Sequence, residues 1–172
     1  MSFSADQFGM SVIEPGGAVI KDSSYKGDGS TTFAKGDLVR INTSGQIVDA
    51  GTDSDTTGPC HGMILDNWTT APTTSQYVPI LQFASDTVLA SQLYNATAAD
   101  AEPQDIAVGT SLTLRNGAAG IWSVTTTTTK GIALVVDIKA TDTWFNDGDD
   151  DDEDYGIVLV RFTQANIDAR GA

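Results

Sequence analysis

Leu38-Val39-Arg40-Ile41-Asn42-Thr43-Ser44-Gly45-Gln46-Ile47-Val48-Asp49-Ala50 is the stretch that decides the fold. Two short runs rich in β-branched residues flank a polar turn containing Gly45, the pattern of a β-hairpin. In the first run Leu38 and Arg40 fall on one face, Val39 and Ile41 on the other. A strand with apolar residues on both faces is buried on much of both. The same signature recurs outward. Gly62-Met63-Ile64-Leu65, Tyr77 to Phe83, Ser111 to Arg115, Gly120 to Thr129, Gly131 to Ile138 and Gly156 to Phe162 all read as strands separated by turn residues.

Pro79 inside the second of these lacks a ladder donor, which points to an edge or a bulge. Ser85 to Asn95 fits either a strand through Thr87-Val88-Leu89-Ala90 or a short helix. No window of 11–18 residues carries a 3.6-residue apolar period. The sequence therefore predicts an all-β chain, a small β-barrel or β-sandwich with an extended N-terminal arm and long loops. The arm is placed at residues 1–30, where Pro15-Gly16-Gly17 and Gly27-Asp28-Gly29 interrupt regular structure around one short strand near Ala18 to Lys21. Residues 31–172 form a single β domain with an acidic loop at 146–155.

Composition narrows the function. The chain has 172 residues, enough for one domain that buries roughly 70% of its unfolded surface. Lys and Arg number 9 against 23 Asp and Glu, a net charge of -14. The cations are dispersed with no basic stripe, so direct binding to nucleic acid or to an anionic membrane is not expected. No stretch approaches the ~20 apolar residues of a membrane span. The N-terminus lacks the pattern of a secretory signal, which implies synthesis in a cytoplasm without export. Cys60 is the lone cysteine, which excludes an internal disulfide and a thiolate metal cluster.

The chemical motifs are sparse. His61 is the only histidine and adjoins Cys60. Sequence neighbours on a strand point to opposite faces, so the two do not make a nucleophile pair. The expectation is a partly buried Cys60, a surface His61 and no catalytic set. The acidic run, Asp147 and Asp149 to Asp154, fails as a calcium loop: Asp152 stands where Gly is wanted and Val158 where the bidentate Glu is wanted. It reads as a solvated loop between Ile138 and the last strand. Phosphate-cradling glycine patterns are absent. No cofactor or metal is expected. Trp68 and Trp144 lie in loop-like surroundings, where an aromatic either caps the core or anchors an interface.

Ala34-Lys35-Gly36-Asp37-Leu38-Val39-Arg40-Ile41, then Ser44 to Ala50, then His61-Gly62-Met63-Ile64-Leu65-Asp66 resembles the opening β module of small capsid decoration proteins of tailed bacteriophages. Val108 to Leu114 with Gly120-Ile121-Trp122-Ser123-Val124 resembles their second half. The resemblance covers about half the chain and omits the acidic run and the N-terminal stretch. It implies a virion protein on the outer face of the capsid, a homotrimer clamping neighbouring major capsid protein subunits. An extended arm can add a strand to a partner's sheet, so contacts with capsid or subunits are expected at Phe3, Phe8, Met10, Val12 and Ile13, with Trp68 and Trp144. The alternative is a fibre-base or receptor-binding β module of a virion.

Overall fold

The computed structural model describes residues 10–51, 59–94, 106–116, 122–126, 131–139 and 157–168. Phe3, Phe8, Trp144 and the acidic loop lie outside the described residues. The chain is nearly all β, with a closed five-stranded barrel and a curled half-barrel sheet.

The curled sheet is built from β2 (Val19–Lys21), β3 (Lys26–Gly27), β4 (Leu38–Ile41), β5 (Gln46–Asp49), β6 (Gly62–Ile64) and β7 (Ile80–Gln82), in the order β2-β7-β6-β4-β5-β3. Its seed is the β4–β5 hairpin. Asn42 Oδ1 accepts from the N–H groups of Ser44 and Gln46 at 2.9 Å each, and Gly45 takes φ 76, the left-handed geometry this kind of loop requires. The sheet then curls until β3 reaches the residues that lead into β7. Lys26–Gly27 pairs with β5 on one side and with residues 76–78 on the other, through Gly27 N–H to Gln76 O at 3.1 Å and Val78 N–H to Tyr25 O at 2.9 Å.

The barrel contains β8 (Val88–Tyr94), β9 (Ser111–Asn116), β10 (Trp122–Thr125), β11 (Ala133–Lys139) and β12 (Ile157–Phe162). Pairing runs β8-β10-β9-β11-β12 and returns to β8, which closes the ring. β8 and β10 are the parallel pair. Ser91 sits where they meet: its hydroxyl accepts the Val124 N–H at 3.1 Å and donates to Gln92 O at 3.0 Å. A short helix, α1 (Gln164–Asp168), follows β12 and buries Ile167.

Alternation sorts the side chains into two cores. Leu89, Leu93, Leu112, Leu114, Trp122, Val124, Ala133, Val135, Val158, Val160 and Phe162 fill the barrel. Val39, Ile41, Ile47, Ile64, Val78 and Ile80 fill the concavity of the curled sheet with Phe33. β4 faces both, Leu38 joining the first cluster and Val39 the second. Phe83, just after β7, stacks on Phe162 of the barrel at 5.7 Å between centroids.

The choice left open at residues 85–95 falls to a strand at Val88–Tyr94, which closes the ring, after a turn at Ala84–Thr87. Pro79 makes neither an edge nor a bulge: β7 begins one residue later, between β2 and β6. The stretch 11–27 is extended but does not project. β1 (Ser11–Glu14) pairs with β8 and β2 pairs with β7, so one ribbon runs antiparallel to residues 76–90 across both sheets.

Gly62 is required where β6 meets β7. A Cβ there would run into the carbonyl of Leu81. Gly62→Ala is therefore expected to destabilise by about 1–3 kcal/mol, the usual cost of forcing atoms into a packed interior. Urea unfolding should show a lower midpoint with an unchanged slope.

Candidate functional site

The N-terminal ribbon binds the sheets together on one side and leaves an edge on the other. β1 and β2 each end their sheet's strand order. Among the described residues, no strand lies along the outer side of residues 11–21. Between the two strands, Ala18 N–H donates to Pro15 O at 2.9 Å, and opposite it Thr87 N–H donates to Ala84 O at 3.0 Å. The two turns clasp each other. Asp86 Oδ1 accepts the Gly17 N–H at 2.8 Å, and the buried Thr87 hydroxyl donates to Pro15 O at 3.0 Å while accepting from Ala84 N–H at 3.0 Å.

This edge is apolar, and among the described residues nothing covers it. Ile13 is 42% exposed, Val19 47% and Ile20 67%. Val19 and Ile20 are neighbours on a strand and point to opposite faces, so neither face of β2 is covered. Folded proteins ordinarily blunt such edges with charge, proline or bulges. β1 has such devices in Glu14, Pro15 and the register shift between Val12 and Glu14. β2 has only Lys21. It can accept an extended partner segment through its main chain.

The expected contact residues divide. Ile13 lies on the free edge. Met10 does not: it is 5% exposed inside the barrel core, because an apolar residue beginning a paired ribbon is drawn inward. Val12 is half-buried against the same core. Trp68 is half-buried, bridges Phe33 through a pair of main-chain hydrogen bonds at 2.7 and 3.1 Å, and walls an open pocket of about 220 Å³. Val19 and Ile20 were not singled out from the sequence. Their apolar pairing was visible, but their exposure depends on β2 being the outermost strand.

Cys60 and His61 are both buried, at 0% and 3% exposure. The expected surface position of His61 is wrong because the sheet is covered on both faces. Cys60 packs into the barrel-side core, and burial pushes its thiol up, away from the reactive thiolate. His61 Nδ1 accepts the Ile41 N–H at 3.0 Å.

Asp37 and Asp49 lie at neighbouring ends of β4 and β5. Burial raises both carboxyls above 3.8. The Ala34 N–H and the Trp122 indole oppose this at Asp37. At Asp49 the Gly51 N–H lowers the value, the Asp37 charge raises it and Arg40 lowers it. Asp28 goes the other way. Slight burial raises it, but hydrogen bonds from the backbone and hydroxyls of Ser30 and Thr31 prevail and hold it at about 2.

No protein-family model, curated protein or solved structure matches this chain. Among the described residues no group of three or more His, Cys, Asp or Glu is arranged to hold a metal ion, and no helix is long and apolar enough to cross a membrane.

The aspartates give a signed pH dependence. Above about pH 4 the unfolded chain has lost the protons that folded Asp37 and Asp49 retain. Their contribution to stability therefore falls as pH rises through their raised values, whereas that of Asp28 is present above about pH 4 and is lost toward pH 2. Asp37→Asn should flatten the decline that sets in above about pH 4 relative to the parent, read from urea midpoints. An identical slope in parent and variant would contradict this.

Proposed function

We propose that this chain is a structural virion protein that binds the outer surface of an assembled phage capsid and stabilises contacts between major capsid subunits. It acts without catalysis, and as a homotrimer. The observation that carries the reading is the free β1–β2 edge with Ile13, Val19 and Ile20 in solvent, a surface suited to a neighbouring chain. The resemblance described above supplies the partner. In its support, the three strands within Ala34 to Asp66 pair as one antiparallel unit, β6-β4-β5, with Gly62 in close approach to β7.

The physics is selective binding. A protein that binds one state of a shell lowers that state's free energy by mass action. Attachment at several subunits multiplies modest individual contacts. The high negative charge keeps unattached copies soluble.

Ile20→Asp tests the edge. The side chain is 67% exposed, so its replacement is expected to change folding stability by no more than about 0.5 kcal/mol. Co-sedimentation with purified empty capsid shells should weaken at least tenfold. Undiminished binding at fixed stoichiometry would remove the edge from the interface, and absence of shell binding by the parent chain would end the reading.

A further inference from the structure

The pocket beside Trp68 is formed by residues outside the β1–β2 edge. It is lined by Asn67, Trp68, Thr69, Thr70, Ala71 and Gln76. None of these is charged, although the chain as a whole carries -14. Trp68 rests against the curled-sheet core, which fixes the indole as a wall.

Both amides are oriented by their acceptor ends. Asn67 Oδ1 accepts the Lys35 N–H at 2.8 Å, and Gln76 Oε1 accepts the Thr73 N–H at 2.8 Å. Among the described residues, Asn67 Nδ2 and Gln76 Nε2 then have no protein partner, and neither do the hydroxyls of Thr69 and Thr70. A pocket wall carrying several uncommitted donors is what a ligand rich in hydroxyl oxygens satisfies.

Size and charge restrict the class. A volume of about 220 Å³ lies below the ~300 Å³ at which drug-sized sites begin and suits a single sugar ring. Two amide donors would also accept an anion, but the strongly negative chain disfavours one. The outward C–H groups of a pyranose match the electron-rich face of an indole. We propose that this pocket is a binding subsite for one uncharged sugar ring of a glycan, with Trp68 as the stacking wall and Asn67 and Gln76 as hydroxyl-binding donors. The site is independent of the β1–β2 edge, so it would let the protein touch glycans while the edge is occupied.

The test is a titration of the full chain followed by ¹H–¹⁵N NMR, with the Trp68 indole peak assigned by its loss in Trp68→Phe. The probes are the methyl glycosides of glucose, galactose, mannose and N-acetylglucosamine, with N-acetylneuraminic acid as the charged control. At least one neutral glycoside should produce a saturable shift of the Trp68 indole and of amides 67–71 and 76. A single ring in so open a site should bind with a Kd of roughly millimolar order. Gln76→Ala should weaken this at least tenfold while the amide spectrum stays folded, and the charged sugar should bind more weakly. Silence from all four neutral glycosides, a response unaffected by Gln76→Ala, or equal binding of the acid would overturn the proposal. A Trp68 peak that responds to capsid shells but to no sugar would overturn it too, and would make the pocket a protein contact.

Discussion

The main-chain pairing of residues 11–27 along residues 76–90 is the constraint on which the rest of the molecule depends. The barrel and the curled sheet are each built mostly from consecutive strands, and neither would by itself fix the other. The ribbon ties them by pairing β2 with β7 and β1 with β8, and the clasped turns at Pro15–Ala18 and Ala84–Thr87 set where it passes from one sheet to the other. Bringing segments ~70 residues apart together costs loop-closure entropy that grows only slowly with length, so burial along the ribbon can offset it. The ladder hydrogen bonds on the inner side of the ribbon are made. Among the described residues those on its outer side are open, and that asymmetry is what would let the edge accept a further strand.

A second consequence follows from β4 being covered on both faces. Leu38 serves the barrel-side core and Val39 with Ile41 the curled-sheet core, so the curled sheet is a shared layer with no solvent face at its centre. This is why Cys60 and His61 are both interior and why the histidine acts as an acceptor for the Ile41 N–H. It is also why Asp37 and Asp49, at the ends of the same strands, are partly desolvated where the two layers meet, with Trp122 of the barrel beside Asp37.

The β character and most strands were legible because short β-branched runs bounded by glycine turns carry their own local signal. Asn42 to Gly45 specified the hairpin through backbone-capping chemistry that needs no tertiary context. What escaped was set by distant partners. The strand at 88–94 and the position of β7 follow from which edges are open to pairing. The interior place of His61 follows from a second covering layer. The exposure of Val19 and Ile20 follows from strand order. Helix α1 has five residues, shorter than any window in which a helical period can be read. Of the contact residues expected from the sequence, Ile13 was placed by its arm-like context and does reach the surface, whereas Met10, chosen on the same grounds, was captured by the core.

The account turns on the outer side of residues 11–21 being a strand-accepting edge. Amide hydrogen exchange on the chain, free and bound to empty capsid shells, addresses it most directly. The account predicts that amides in 11–14 and 19–21 on that side exchange quickly in the free protein and become strongly protected on the shell, with β9 and β10 unchanged. Protection that appears elsewhere while these amides go on exchanging at the free-protein rate would contradict it.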